Sequence, residues 1–131
     1  MSCELRPKIV IVSDDGDFLA LAAEVLRDAG YDVTTCDRAR ECYRVIRDVR
    51  PDIAIVDAKM RDVDDWHVLT LLLLDRELRS IPVLVSSQLG ADAELLERRL
   101  RELRCRLITK PFTAEELLET VRAMVESRGA A

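Results

Sequence analysis

The sequence predicts an α/β protein, a parallel five-stranded sheet covered by helices on both faces. Three observations predict it. Five short apolar segments rich in Val and Ile recur at 8–13, 32–36, 53–57, 82–86 and 105–109, as buried parallel strands do. Between them the apolar residues fall at helical spacing. The connections are short, and strand–helix repeats of this kind build parallel sheets with crossover helices.

The first strand, Lys8 to Ser13, leads into a helix with Phe18, Leu21, Ala22, Val25, Leu26 and Ala29 on one face, ended by Gly30. After the second strand, Cys42, Val45, Ile46 and Val49 mark the second helix, which Pro51 stops. The third helix is read from Trp66 to Leu78 and the fourth from Asp92 to Leu103. The fifth opens on the capping-box pattern Thr113-Ala114-Glu115-Glu116 and continues with Leu117, Val121, Met124 and Val125 on one face. With 131 residues the chain is expected to form one domain with a core at 8–126, and the tail 127–131 is expected to fray.

Composition excludes several function classes. The net charge is −5, which gives no basis for nucleic-acid binding. The N-terminus lacks the apolar core of a signal peptide, and the apolar run from Trp66 to Leu74 is too short to span a bilayer. Cys3, Cys36, Cys42 and Cys105 form no CxxC pair, and His67 is the only histidine, so a zinc site is not expected. Cys36 and Cys42, at apolar positions of a strand and a helix, read as buried free thiols of a reducing, cytoplasmic setting, and His67 as a surface residue of the third helix.

Four polar residues sit where apolar segments end: Asp14, Asp57, Ser87 and Lys110. In an open α/β sheet such strand ends form the binding crevice. Two carboxylates, a hydroxyl and an ammonium in one crevice can bind a divalent cation and a phosphoryl group. This series, with Asp57-x-x-Met60 after the third strand and Lys110-Pro111-Phe112 after the fifth, resembles the receiver domain of bacterial two-component response regulators over about Lys8 to Glu126.

The resemblance implies a flavodoxin-like strand order 2-1-3-4-5, with the site at its switch point. It implies that Asp57 is the nucleophile taking a phosphoryl group from a phosphohistidine. Mg²⁺ would then be held by Asp14, Asp57 and the backbone carbonyl of Lys59, with Ser13 or Asp15 reaching it through water. It also implies that Lys110 pairs with Asp57 and that Ser87 moves its hydroxyl toward the phosphoryl group.

The chain departs from the family pattern in several places. Ser13 stands where a second acid is usual and contributes no charge, so weaker Mg²⁺ binding is expected. Arg61 replaces the usual proline after Met60, and Asp65 the usual small residue. Gln88 replaces a small residue after Ser87 and is expected to obstruct attacking water, lengthening the life of phosphoryl-Asp57. Leu107 replaces the usual aromatic three positions before Lys110, which rules out an aromatic rotamer switch there.

Two surfaces invite partners. Leu71, Leu74 and Leu78 form a second stripe opposite the expected core face of Trp66, Leu69, Leu72 and Leu73. It reads either as wide core or as a contact surface for a partner or homodimer. Arg98, Arg99, Arg101, Arg104 and Arg106 alternate with Glu94, Glu97 and Glu102, as on a solvated face with i,i+4 pairs.

The leading reading is a phosphoacceptor served by a histidine kinase or phosphotransfer protein and acting on a downstream protein partner. It would not be a conventional enzyme, carrying only self-phosphotransfer and slow autodephosphorylation. A degenerate receiver acting as a phosphate-independent adaptor is the alternative. A flavodoxin-like cofactor binder is disfavoured by an acidic crevice without a Gly-rich phosphate loop.

Overall fold

The computed structural model describes residues 6–57, 63–88, 93–102 and 105–129. Strands and helices alternate as β1 (Lys8–Val12), α1 (Gly16–Asp28), β2 (Asp32–Cys36), α2 (Ala39–Val49), β3 (Ile53–Asp57), α3 (Val63–Leu74), β4 (Val83–Gln88), α4 (Ala93–Glu102), β5 (Cys105–Lys110) and α5 (Ala114–Gly129). The sheet is parallel, in the order β2-β1-β3-β4-β5.

Strand alternation divides the core in two. Val10 and Val12, Ala54 and Val56, and Val83 and Val85 face Cys42 and Ile46 of α2, Leu69 and Leu72 of α3, and Leu100 of α4. Ile9 and Ile11, Ile53 and Ile55, Leu84 and Ile108 face Leu19, Ala22, Ala23 and Leu26 of α1 and Leu117, Val121 and Met124 of α5. The central strands β1, β3 and β4 carry apolar runs because both faces are covered, whereas the edge strands carry exposed polar residues, Thr35 in β2 and Arg106 in β5.

The helix ends follow from local chemistry. Asp15 caps α1, accepting from the backbone N–H groups of Asp17 (3.0 Å) and Phe18 (3.2 Å). The C-terminus of α1 closes through Gly30, at φ 99°, with Tyr31 N–H donating to the Leu26 carbonyl and Gly30 N–H to that of Arg27. That is the reciprocal pairing a left-handed glycine permits. At α5 the expected capping box forms: Thr113 Oγ1 accepts from Glu116 N–H, and Glu116 Oε1 from Thr113 N–H, each at 3.0 Å.

The structure corrects three expectations. The buried face of α1 is Leu19, Ala22, Ala23 and Leu26, whereas Leu21 is 64% exposed. The third helix begins at Val63 and ends at Leu74. Leu78 therefore lies beyond it, in a turn held by Asp75, and is buried. The stripe of Leu71, Leu74 and Leu78 does not exist as one surface: Leu71 is half-buried, Leu74 is 75% exposed, and Leu78 is core. Tyr43 of α2 donates to Asp75 Oδ2 at 2.6 Å, so the turn is anchored to the neighbouring helix. This hydrogen bond holds the Asp75 carboxyl below its ordinary range and raises the Tyr43 phenol.

Candidate functional site

The same alternation that divides the core composes the site. Ser13 follows β1 with the parity of Ile9 and Ile11, and Asp57 ends β3 with that of Ile53 and Ile55. Ser86 shares the parity of Leu84, and Lys110 that of Ile108. These strands are neighbours in the sheet. All four side chains therefore emerge at the carboxyl edge on the side covered by α1 and α5. Register completes the match, since Asp57 pairs with Ser86 across β3 and β4.

Asp57 is the centre of this group, with its side chain 9% exposed. Lys110 Nζ lies 2.5 Å from its Oδ1. Ser86 Oγ donates to the same oxygen at 3.0 Å, and Ser13 Oγ donates to Oδ2 at 2.5 Å. Ser13 Oγ in turn accepts the Asp15 backbone N–H at 3.0 Å. A carboxylate so far out of water needs a counter-charge and hydrogen bonds. Lys110 supplies the charge, and two serines supply donors to the two oxygens.

The other expected residues are distributed around this centre. Asp14 follows Ser13 and is exposed. Asp15 is committed to capping α1 through Oδ1. Ser87 is buried and carries the opposite strand parity, that of Val83 and Val85. Lys59, Met60 and Arg61 lie outside the described residues, as do the side chains of Asp65, Trp66 and Gln88. His67 is exposed. Leu107 is half-buried and packs in the core on the α2–α4 face. Ser86 was not among the expected site residues. Its signal was parity with Leu84, which also points at the α1–α5 side, but only the register fixes which of two adjacent serines meets Asp57.

Among the described residues no group of three acidic or imidazole ligands occurs. A cation at this edge could draw on the carboxylates of Asp14 and Asp57 and on the Ser13 hydroxyl. These are hard oxygen donors of the kind Mg²⁺ takes while retaining several waters. The Ser13 hydrogen bond already occupies Asp57 Oδ2.

The site opens beside a cavity of about 550 Å³ between α1 and α5, lined by Asp15, Phe18, Leu21, Lys110, Phe112 and Leu117 among others. The Phe18 and Phe112 rings meet edge to face at 6.1 Å and 88°. Lys110 Nζ sits 4.5 Å from the centre of the Phe18 ring.

Comparison with known proteins agrees with this architecture. The profile of the response regulator receiver domain matches residues 9–122. The transcriptional regulatory protein PrrA of Mycobacterium leprae is 31% identical over 128 residues, which is 95% of this chain and 52% of that protein. The chain therefore spans about half the length of this relative. The polar-differentiation response regulator DivK of Brucella anthropi is 27% identical over 119 residues, covering 89% of this chain and 95% of that one. In fold, the chain is similar to the chemotaxis response regulator CheY4 of Vibrio cholerae, with a TM-score of 0.80 at 22% identity, over 91% of this chain and 98% of that one.

Proposed function

The chain belongs to the response regulator receiver domain family, and from that premise we propose that it is a phosphoacceptor of a two-component phosphorelay. Proteins of this family are signalling components rather than conventional enzymes. Asp57 takes a phosphoryl group from a phosphohistidine on a histidine kinase or phosphotransfer protein. The phosphorylated chain then acts through a downstream protein partner. The observation carrying this reading is the nearly buried Asp57 carboxylate held by Lys110 at a strand end, an arrangement that orients a nucleophile beside a cation.

In the transfer, an Asp57 carboxylate oxygen forms a bond to phosphorus. The bond from phosphorus to the donor imidazole nitrogen breaks, and the imidazole leaves with the electron pair. The product is an acyl phosphate. Lys110 balances the carboxylate beforehand and the phosphoryl oxygens afterwards. Ser86 and Ser13 fix the carboxylate plane through its two oxygens. Ser87, the hydroxyl expected to move toward the phosphoryl group, is buried with the opposite parity to Ser86, so reaching that group would require the β4 end to turn, and this movement would carry the signal. When bound, Mg²⁺ reduces repulsion between carboxylate and anionic phosphoryl group. Asp14, Asp57 and the Lys59 carbonyl would hold it, with Ser13 or Asp15 contributing through water. Slow hydrolysis of the acyl phosphate would reset the site.

One observation favours a second reading, a phosphate-independent adaptor. Both Asp57 oxygens already have partners from the protein, so the carboxylate is satisfied without a ligand. Intact mass after incubation with acetyl phosphate separates the two. The acceptor reading expects a Mg²⁺-dependent gain of one phosphoryl group that Asp57→Asn abolishes. A gain of the same size in Asp57→Asn would contradict it, and no gain in the wild type from either acetyl phosphate or a phosphorylated histidine donor would leave the adaptor.

A further inference from the structure

We propose that Phe18 is a positioning residue for Lys110, holding its ammonium over the aromatic face while the charge at Asp57 changes. The inference rests on the acceptor reading above. It also supplies a coupling route that does not pass through position 107, where Leu107 offers no aromatic side chain.

Lys110 is gripped from two sides, by Asp57 Oδ1 at 2.5 Å and by the Phe18 ring at 4.5 Å. The Lys110 side chain is 26% exposed, so water screens these attractions only in part. The negative face of an aromatic ring attracts a cation, and more strongly as the cation loses water.

The ring itself is held in place. The Phe18 backbone N–H is bound by the Asp15 cap at 3.2 Å. Its side chain is braced edge to face by Phe112, two residues beyond Lys110. The Asp15 N–H also donates to Ser13 Oγ, which donates to Asp57 Oδ2. The start of α1 is thus tied to one Asp57 oxygen through Ser13 and to the other through Lys110 and Phe18.

The chemistry needs such a surface. A carboxylate fixes an ammonium at one point, through directional contacts. When a phosphoryl group adds to Asp57, negative charge moves outward onto the phosphoryl oxygens. Lys110 must follow on a flexible four-carbon stem that water would otherwise claim. Attraction to a ring face is not tied to one hydrogen-bond direction, so the ammonium can shift across it without losing its partner. Phe18 therefore limits where Lys110 can go in both states.

The test compares Phe18→Leu, which keeps apolar bulk without a π-face, with Phe18→Tyr, which keeps the ring. Circular dichroism melts establish that both variants are folded. Two readouts are taken. The first is the proton shift of the Lys110 ε-methylene, expected upfield in the wild type and Phe18→Tyr and relaxed in Phe18→Leu. The second is the rate of phosphoryl gain from acetyl phosphate at saturating Mg²⁺. It is expected to fall about threefold to tenfold in Phe18→Leu and to be rescued in Phe18→Tyr.

A wild-type rate in Phe18→Leu, or an equal loss in both variants, overturns the proposal, since simple packing would not distinguish ring from leucine in this way. If the wild type gains no phosphoryl group, the acceptor reading fails and the shift decides for Phe18 alone. A ring-shifted Lys110 that relaxes only in Phe18→Leu then sustains the positioning role, and an unshifted one removes it.

Discussion

At Ser13 the chain exchanges a charge for a hydrogen bond. Where an acid would add a carboxylate beside Asp14, a buried hydroxyl donates to Asp57 Oδ2 and accepts from the Asp15 N–H. A cation bound at Asp57 would have to compete with that hydroxyl, with one negative charge fewer to draw on. Ser13→Asp is expected to tighten Mg²⁺ binding by roughly tenfold or more, because each added unit charge near a divalent ion is worth about 1–2 kcal/mol even in water-like surroundings. Calorimetric titration with Mg²⁺ would measure it, and equal affinities in the two proteins would contradict the account. The meeting of Asp57 with Lys110 was readable from their places at strand ends, since alternation and strand-end position are sequence properties. The Ser13–Asp57 contact and the choice of Ser86 were not, because hydroxyl geometry and inter-strand register arise only when distant segments pair. The cation–aromatic contact at Phe18 was hidden for the same reason, as Phe18 reads as one more apolar residue of α1.

At the scale of elements, the chain between α3 and β4 shows what periodicity can mislead. The leucines of 71–74 continue in spacing to Leu78, so the pattern suggests a longer helix. Asp75 instead ends it: its side chain accepts the Glu77 N–H at 2.8 Å and the Tyr43 hydroxyl. Short polar side chains that bond nearby backbone compete with helix in this way. Leu78 then folds inward while Leu74 remains on the surface. Leu78→Ala is expected to cost about 2–5 kcal/mol in urea unfolding, whereas Leu74→Glu should stay within about 0.5 kcal/mol. Equal losses from both would show that Leu74 is core. The capping box of α5 and the glycine closure of α1 were legible, since both depend on residues a few positions apart. The inward face of α1 was legible only in part, because Leu19 and Ala23 flank the stripe that was read and the sheet determines which flank turns inward.

For the molecule as a whole, five strand–helix repeats specify a parallel sheet but not its strand order, since each crossover can place the next strand on either side. The order 2-1-3-4-5 came from the family resemblance, and the structure has it. That order puts β1, β3, β4 and β5 side by side, with β1 and β3 adjacent at the switch point, and so draws Ser13, Asp57, Ser86 and Lys110 into one crevice. If Asp57 is phosphorylated as proposed, the change would have two directions in which to act: toward the α2–α4 side through Ser87, and toward α1 and α5 through Lys110 and Phe18. The measurement that tests the central claim most directly is chemical mapping of the acceptor. After incubation with acetyl phosphate and Mg²⁺, borohydride reduces an aspartyl phosphate to homoserine, and peptide mass spectrometry locates the change. The account predicts homoserine at position 57 alone, dependent on donor and Mg²⁺. A donor- and Mg²⁺-dependent homoserine at Asp14 or Asp15, with Asp57 intact, would contradict it.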